Sequence, residues 1–247
     1  MHNILVLGAT STVATSLSRR YLEKGSRFYF LARSADKLAS RVAEFSTQLL
    51  GSEAVDFTAF DDTIRAIDRA YEVAGWFDLI VVAHGYLGDQ LESERNFVEA
   101  LAQISINFSS VVAQLIAVTR HLESNPGRRA QIAVITSVAA DRGRPRNYTY
   151  GAAKAGLNTY LQGLRSRMWG RAWVTTIKLG PVDTPMSASH EKNALFISSE
   201  EAARQIERAI TKKRAEVYVP RRFSLVMRVV RALPEPIFQR IPSLSGR

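Results

Sequence analysis

The sequence predicts one α/β domain built on a doubly wound parallel sheet with helices on both faces. Short apolar runs alternate with amphipathic stretches at helical spacing along the chain, a pattern typical of parallel sheets with right-handed crossovers. A chain of 247 residues can bury a large core in one domain, and it contains no linker, internal repeat or break in composition. We assign residues 1–220 to this domain and residues 221–247 to a basic, apolar C-terminal tail.

The elements of the first half are predicted from apolar spacing and from the residues that end each run. The first strand stops at Gly8, and the helix after it stops at Gly25. Ser34 has a side chain that can cap a helix. In chain order we expect strand 4–7, a helix to Gly25, strand 28–31, helix 34–50, a brief strand ending near Asp56, helix 61–73 and strand 79–83.

The second half repeats this alternation with longer helices. The run 79–83 that precedes it is apolar throughout, as expected of a strand that is covered on both faces. The stretch 94–120 then carries apolar residues at helical period. In chain order we expect helix 94–120, strand 132–136, helix 148–169, strand 173–179, a helix starting near Ser198 and strand 216–219.

Composition narrows the classes of function. The chain has no cysteine, which excludes disulfides, thiolate metal sites and a cysteine nucleophile, and suits the reducing cytoplasm. Its four histidines have no ligand spacing, so we expect no metal. The formal net charge of +10 either favours anionic partners or reflects solvated surface. The basic residues are scattered without a recognition motif, so we expect no nucleic-acid partner, and we expect no segment to span a membrane.

The turn after the first strand is a candidate pyrophosphate site. Gly8 ends the strand and the next residues lead into a helix, where free backbone N–H groups and the positive helix end favour an anion. With a single glycine, the pattern also fits an ordinary strand-to-helix turn. The candidate cofactor-binding residues here are Gly8, Thr10, Ser11, Thr12 and Val13.

The end of the second strand indicates which dinucleotide is bound. Sheets of this kind that bind NAD usually place an acidic residue there, which binds the ribose hydroxyls. Here Arg33 follows the strand instead, and a guanidinium can hold a 2′-phosphate through two hydrogen bonds. We therefore predict NADP(H) in preference to NAD(H). The alternative is an arginine that only meets solvent.

Three polar residues form the predicted catalytic set. Tyr150 and Lys154 are four residues apart on a predicted helix, which puts both side chains on one face. A free phenol has a pKa of about 10 and a nearby ammonium lowers that pKa, so Tyr150 can act as acid or base. Ser137 follows the strand 132–136, where its hydroxyl can hold the substrate oxygen while hydride reaches the carbon.

With these motifs the chain resembles the short-chain dehydrogenase/reductase family over nearly its whole length. The resemblance implies a Rossmann-type fold and reversible NAD(P)-dependent hydride transfer between ketones and secondary alcohols. It also implies that Asn107 helps to hold a water relay to Lys154. Segments that resemble those meeting the adenine and the nicotinamide, together with the end of the fourth strand, add further cofactor-binding candidates: Asp56, Phe57, Ala83, Gly85, Gly180, Val182 and Thr184.

Three departures from the family pattern fall around the cofactor. Thr12 and Ala14 stand where the family has glycines, and Leu179 stands where it has proline. Residues 82–85 read Val-Ala-His-Gly in place of the usual Asn-Asn-Ala-Gly. These changes affect the pyrophosphate turn and the loop geometry, and they leave the Ser-Tyr-Lys set intact.

Two features concern the substrate. Arg142, Arg144 and Arg146 lie in a loop between Ser137 and Tyr150, where they either hold an anionic group such as a phosphate or form a solvated loop. The tail is apolar around most of a helix and basic at its start. It is predicted to meet an anionic membrane surface; the alternatives are an oligomer contact and a flap over the protein's own core. We expect a homo-oligomer.

Within the family, the loop, the tail and residues 84–90 resemble the bacterial decaprenylphosphoryl-2-keto-ribose reductases. This resemblance implies a lipid-linked or phosphorylated keto-sugar, or another lipidic ketone, and a cytoplasmic enzyme peripheral to the inner face of the membrane. Two alternatives remain. One is a non-catalytic dinucleotide-binding sensor or scaffold on the same fold. The other is a tyrosine-dependent sugar-nucleotide epimerase, which usually has a larger C-terminal domain than this chain.

Overall fold

Seven parallel strands form the sheet in the computed structural model, which describes residues 2–188 and 192–241. Their order is β3-β2-β1-β4-β5-β6-β7, so the chain starts in the centre, winds outward to one edge and returns to fill the other half. The predicted doubly wound sheet is confirmed. The strands are β1 Asn3–Leu7, β2 Arg27–Ala32, β3 Leu49–Ala54, β4 Leu79–Val82, β5 Ala130–Ser137, β6 Ala172–Leu179 and β7 Glu216–Val219.

Helices cover both faces of the sheet because successive strand residues point to opposite sides. In β1, Leu5 and Leu7 enter one core, whereas Ile4 and Val6 enter the other. This explains why the run is apolar throughout. The helices are α1 Thr12–Leu22, α2 Ala35–Glu44, α3 Phe60–Ala74, α4 Gln90–Ser93, α5 Phe97–Ile104, α6 Ser110–Glu123, α7 Tyr148–Arg167, α8 Ser199–Thr211, α9 Phe223–Ala232 and α10 Glu235–Arg240.

The second predicted helix is shorter than expected. Ser34 caps α2 as predicted, since its side chain accepts a hydrogen bond from the Lys37 N–H at 3.4 Å. The helix ends at Glu44 rather than near residue 50, because the chain from Leu49 onward pairs with β2 as strand β3. Pairing with a neighbouring strand thus outweighs the helical spacing of these residues.

The predicted helix 94–120 is interrupted. It begins after Asn96, whose side chain accepts a hydrogen bond from the Val98 N–H at 2.9 Å, and a π-helical segment at residues 105–109 separates α5 from α6. By length and a mean hydropathy of 1.6, the stretch Phe97–Glu123 could span a membrane, although we expected no such segment. The buried residues of α6 pack in the core, whereas several apolar side chains of α5 are exposed.

The C-terminal tail folds back on the domain. Its buried residues Phe223, Met227, Val230 and Phe238 form a small third core with Val138, which follows strand β5. Of the alternatives that the sequence left open, the structure therefore has a flap over the protein's own core. Residues 242–247 of the predicted tail lie outside the described residues.

Candidate active site

The candidate site lies at the carboxyl edge of the sheet. β1 is flanked by β2 on one side and by β4 on the other, so the connections that leave these strands diverge and open a crevice. Ligands of doubly wound sheets bind in such a crevice. Gly8 follows β1, Gly85 follows β4, Ser137 ends β5 and Gly180 follows β6. The structure thus brings the predicted strand-end residues to one edge.

The turn after β1 requires a glycine. Gly8 has φ +96°, and a Cβ on it would lie 2.6 Å from the His84 backbone nitrogen. The N–H groups of Gly8 and Ala9 donate to the Leu31 carbonyl oxygen at 2.8 and 3.1 Å, which fixes the turn against β2. The side chain of Ser11, the residue before α1, makes no capping hydrogen bond. The first-turn N–H groups of α1 are therefore open to an anion.

The remaining predicted residues of this turn have unequal exposure. The side chain of Val13 is buried in the core, so only its backbone can face a cofactor. Thr10, Ser11 and Thr12 are half-buried at the entrance of the helix. Thr12, where the family has a glycine, opens α1 without distorting it.

The ends of β2 and β3 carry the residues predicted to meet the adenosine. Arg33 is exposed. The Asp56 carboxylate accepts hydrogen bonds from the Thr58 N–H and hydroxyl at 2.9 and 2.8 Å, which stabilises the turn after β3. The buried ring of Phe57 packs on the imidazole of His84, with the ring centroids 4.5 Å apart. The segment after β3 is thereby joined to the end of β4.

His84 is a site residue whose role the sequence did not reveal. Burial lowers the pKa of His84 to about 4, and the positive charges of Lys154 and Arg33 act in the same direction. Its Nε2 lies 3.1 Å from Gln114 Oε1, so the imidazole is neutral and held from α6. His84 packs closely on Gly8 and on the Phe57 ring. It therefore joins the turn after β1 to the segment after β3.

Asn107 is held in the π-helical segment between α5 and α6. Its Nδ2 donates to the Tyr86 and Gln103 carbonyl oxygens at 2.6 and 2.8 Å, and its Oδ1 accepts from the Tyr86 N–H at 3.1 Å. The side chain therefore fixes the loop after β4. A Cβ on Gly85 would lie 3.1 Å from Asn107 Oδ1 and 3.5 Å from Lys154 Nζ. The absence of a side chain at Gly85 thus lets the loop after β4 pack closely against both groups.

Ser137, Tyr150 and Lys154 meet at the base of this crevice. All three are buried, with Lys154 only 2% exposed. Lys154 Nζ lies 5.8 Å from the centroid of the Tyr150 ring and donates to the Ile135 carbonyl oxygen at 3.4 Å. Ala139 lies against the first turn of α7, where a Cβ on Gly151 would meet its carbonyl oxygen at 2.8 Å. This close approach, which needs a glycine, sets Tyr150 beside the end of β5.

The pKa values of this group are governed by burial. Burial raises the pKa of Tyr150 to about 12, and a hydrogen bond with Ser137 acts against the rise. Burial lowers the pKa of Lys154 to about 8. The sequence predicted that Lys154 lowers the pKa of Tyr150, but in this structure desolvation outweighs any such effect. Tyr150 is therefore a protonated phenol at neutral pH.

The segment after β6 closes the crevice from the other side. Gly180 donates its N–H to the Val219 carbonyl oxygen at 2.7 Å, and a Cβ on it would lie 3.0 Å from the Phe223 ring. The side chain of Val182 is buried, whereas Thr184 begins the short 3-10 turn 185–187. The Met186 side chain reaches back to within 3.9 Å of the Cβ position of Gly85. Neither Phe223 nor Met186 was predicted as a site residue, because each reaches the site only through folding.

The three arginines predicted to bind substrate differ in their surroundings. Arg142 donates to the Val230 and Leu233 carbonyl oxygens at 2.8 and 2.5 Å and to the Glu235 carboxylate at 2.6 Å. Its two terminal nitrogens hold the tail, which favours a structural role for Arg142 over the predicted substrate contact. Arg144 lies against Met227 Sδ at 3.9 Å, and its buried Nε has no hydrogen-bond partner. Arg146 is exposed.

Comparison with known proteins agrees with this geometry. A family model described as short chain dehydrogenase matches residues 2–195. An uncharacterized oxidoreductase of Streptomyces coelicolor is 31% identical over 245 residues, which cover 97% of this chain and 95% of the relative. An uncharacterized oxidoreductase of Mycobacterium tuberculosis is 28% identical over 245 residues, covering 97% and 96%. The chain belongs to the short-chain dehydrogenase/reductase family.

Solved structures share the fold. A short chain dehydrogenase from Burkholderia cenocepacia in complex with NADP superposes with a TM-score of 0.78 at 22% identity, covering 94% of this chain and 98% of that one. An actinorhodin polyketide ketoreductase with NADPH gives a TM-score of 0.78 at 19% identity, covering 88% and 95%. With the family established, the protein is an oxidoreductase that uses a nicotinamide dinucleotide.

Proposed function

We propose that this protein reduces a ketone to a secondary alcohol with NADPH, and that Tyr150 donates the proton. The observation that supports this most is the buried group of Ser137, Tyr150 and Lys154 at the carboxyl edge of the sheet. The residues present fit a dinucleotide, because the first-turn N–H groups of α1 have no side-chain cap and can bind a pyrophosphate. When bound, the reduced nicotinamide supplies the hydride.

The side chains of Ser137, Tyr150 and Lys154 have separate roles in the proposed reaction. The Ser137 hydroxyl donates a hydrogen bond to the carbonyl oxygen of the substrate and holds it beside Tyr150. As a C–H bond forms at the carbonyl carbon, the π-electron pair moves to oxygen, which takes the proton of the Tyr150 hydroxyl. The Lys154 ammonium stabilises the resulting phenolate, since a pKa of about 8 leaves it charged in most molecules at pH 7. A proton from solvent then restores Tyr150, by way of the water relay that we propose Asn107 helps to hold.

We assign the preference for NADP(H) to Arg33. It is an exposed residue at the end of β2, in the position where NAD-binding sheets carry a carboxylate. Its positive charge contributes to the lowered pKa of His84, so its field reaches the crevice. The guanidinium would hold the 2′-phosphate of NADPH, and the turn at residues 8–13 would hold the pyrophosphate.

The substrate is proposed to carry an anionic group, held by Arg144 and Arg146. No carboxylate among the described residues forms an ion pair with Arg144, and desolvation by burial lowers the pKa of this guanidinium. A half-buried cation without an anionic partner destabilises the folded protein unless a bound anionic ligand pairs with it. A phosphorylated or lipid-linked keto-sugar, or another lipidic ketone with an anionic group, has the required chemistry.

The assembly and location of the enzyme are also proposals. We propose a homo-oligomer, because α4 and α5 expose several large apolar side chains that one chain leaves uncovered: Leu91, Phe97, Val98 and Leu101. The outer face of the tail exposes Leu225, Val229 and Ile237 among arginines, which supports contact with another subunit. We also propose a cytoplasmic enzyme that is peripheral to the inner membrane face, because a net charge of +10 favours an anionic surface.

One experiment tests the reaction. NADPH consumption is measured with keto-sugars that carry a phosphate, a lipid tail or neither, for the wild type and for Tyr150→Phe. We expect turnover with at least one ketone, lost in Tyr150→Phe by about 10³-fold while NADPH binding is retained. Unchanged turnover in Tyr150→Phe would refute the proposed proton donor. NADPH binding without turnover of any ketone would favour the alternative of a non-catalytic dinucleotide sensor.

A further inference from the structure

Three loops at the amino edge of the sheet, opposite the candidate active site, form a cationic loop cluster made of residues 125–129, 169–171 and 212–215. They precede the adjacent strands β5, β6 and β7 and therefore lie side by side. The Ala130 N–H donates to the Arg171 carbonyl oxygen at 3.3 Å, which joins the first two loops. The cluster contains no acidic residue and six exposed cations: Arg128, Arg129, Arg171, Lys212, Lys213 and Arg214.

The cations of the cluster are not neutralised within the protein. In the part of the chain that the structure describes, none of the six forms an ion pair, whereas many other arginines and lysines do. Six like charges on adjacent loops repel one another. The net charge of +10 is therefore concentrated in part on one face, where it would attract an anionic surface.

An exposed indole stands among these charges. Trp169 is 86% exposed, the highest value among the large apolar side chains of residues 2–188 and 192–241. It is held outward by its neighbours, since Met168 is fully buried and Gly170 turns the chain back toward β6 with φ +82°. Beside it lies a depression of about 250 Å³, lined by Arg129, Trp169, Gly170, Ala172 and Trp173. Lys213 Nζ covers the Trp173 ring at 3.6 Å.

We propose that the cationic loop cluster docks the protein on a membrane that contains anionic lipids, with Trp169 inserted at the headgroup level. Lysine and arginine side chains near an anionic leaflet each add to binding, and tryptophan prefers the interface between headgroups and acyl chains. The depression suits an amphiphilic ligand, because indole rings and small residues line it together with the cationic Arg129. A lipid headgroup and its glycerol backbone have this combination of properties.

The dimensions of the cluster argue against a nucleic acid. Neighbouring strands are about 4.8 Å apart, so three adjacent loops span roughly 10 Å of the sheet edge. Single-stranded nucleic acids are usually held over about four or more nucleotides along a groove, a longer track than this edge offers.

This docking would orient the active site. β5 begins next to the cluster and its eighth and last residue is Ser137, so the two are about 25 Å apart along the strand. The candidate active site then faces away from the membrane, so this orientation favours a phosphorylated ketone in solution over a lipid-linked one. The tail, whose outer face also bears arginines, lies at the active-site edge. Docking through the cluster and docking through the tail would turn the active site in opposite directions relative to the membrane, so an experiment can distinguish them.

The test uses the full-length protein and co-sedimentation with vesicles of phosphatidylcholine, alone or with phosphatidylglycerol. Two double variants are compared. One carries Arg171→Glu and Lys212→Glu in the cluster, and the other carries Arg228→Glu and Arg231→Glu on the outer face of α9. Both variants change the net charge by the same amount. The proposal expects binding to phosphatidylglycerol vesicles, weakened by more than about tenfold in the cluster pair and kept in the α9 pair. Trp169→Ala should weaken binding several-fold, and the wild type should show a blue shift of fluorescence that Trp169→Phe removes.

Three results would overturn the proposal. The first is vesicle binding that survives the cluster pair, and the second is equal loss in both pairs, which would mean attraction by net charge alone. The third is failure to bind vesicles together with salt-sensitive binding of a single-stranded oligonucleotide, which would assign the cluster to nucleic acid. Thermal unfolding and NADPH binding of each variant show that the fold is intact.

Discussion

The two sides of the carboxyl edge are built in different ways. On the cofactor side, at the ends of β1 to β4, the shape depends on backbone: a glycine turn with φ +96° and a π-helical segment that fixes the loop after β4. On the substrate side, Val138, Arg142 and Arg144 contact α9 and the chain that follows it, and the partners of the two arginines come 83 to 93 residues later. A backbone cradle suits a ligand shared by a whole family, whereas a wall of side chains can vary with the substrate.

The largest expected effect falls where the two sides meet. Lys154→Met should lower turnover by about 10²- to 10⁴-fold, because the Tyr150 phenolate then forms without a cation beside it. The same substitution should stabilise the fold at neutral pH, since burial holds the pKa of Lys154 at about 8 against an ordinary 10.5. Kinetic assays and urea unfolding, with the exposed Lys37→Met as control, measure both effects.

The sign of the pH dependence follows from this lowered pKa. Between about pH 8 and 10.5 the unfolded chain keeps a proton on Lys154 that the native protein has lost, so the free energy of unfolding rises with pH over this interval. Lys154→Met should remove that rise, and Lys37→Met should not. In the wild type, turnover should fall above pH 8 as Lys154 loses its charge. A stability profile identical in wild type and Lys154→Met would show that the lysine is not desolvated.

A pair of alanine substitutions compares two glycines among the cofactor-binding candidates, one after β1 and one after β6. Gly8→Ala combines a positive φ with a Cβ 2.6 Å from the His84 backbone, and should weaken NADPH binding by about 100-fold through strain and a displaced turn. Gly180→Ala meets only the Phe223 ring, at 3.0 Å, and a side chain can move. We expect it to change NADPH affinity by less than about fivefold. Isothermal titration calorimetry measures the NADPH affinity of both variants. Equal losses of affinity would contradict the expected difference between the two glycines.

The next effect concerns which dinucleotide the cofactor side selects. Arg33→Ser should raise the Kd of NADPH by about 10- to 100-fold, because a charge-assisted contact with the 2′-phosphate is lost. The Kd of NADH should stay within about twofold, since that cofactor has no 2′-phosphate. Equal changes in the two dissociation constants would remove Arg33 from the phosphate site. Lys37→Met in α2 removes one positive charge, as Arg33→Ser does, and therefore controls for the effect of net charge on cofactor binding.

The smallest effects separate two arginines of the substrate side. Arg142→Gln removes hydrogen bonds to the tail and should lower the free energy of unfolding by about 1–3 kcal/mol. Arg144→Gln should leave stability nearly unchanged and lower kcat/KM for an anionic ketone by about tenfold, with little effect on a neutral one. If Arg144→Gln affected both ketones equally, the anionic subsite would be refuted. Urea unfolding and steady-state kinetics provide the two measurements.

Most of the cofactor side could be predicted from the sequence because its features are contiguous. A strand, a glycine and a helix start follow one another in the chain, and the spacing of Tyr150 and Lys154 on one helix predicts that they share a face. The helix boundaries were less accurate. α2 was predicted too long because the apolar residues at 49 and 50 fit both a helix and a strand, and pairing with β2 decided between them.

The substrate side could not be predicted to the same depth. The sequence grouped Arg142, Arg144 and Arg146 as equivalent ligands, yet Arg142 binds the tail and Arg144 has an unpartnered Nε. The tail was predicted to meet a membrane because its apolar residues nearly surround a helix. Packing on Val138 buries only some of these apolar residues, and the local sequence does not indicate which ones become buried.

Alone, the sequence determined the fold class, and it predicted the catalytic residue types and the dinucleotide, since each prediction follows from residues that are close together in the chain. Only the tertiary structure decided that burial raises the pKa of Tyr150 and that the tail covers residues 138–142. It also gathered the cationic loop cluster from three separate segments at one edge. The physical reason is that desolvation and contacts between distant segments depend on how helices and strands pack, which local spacing does not encode.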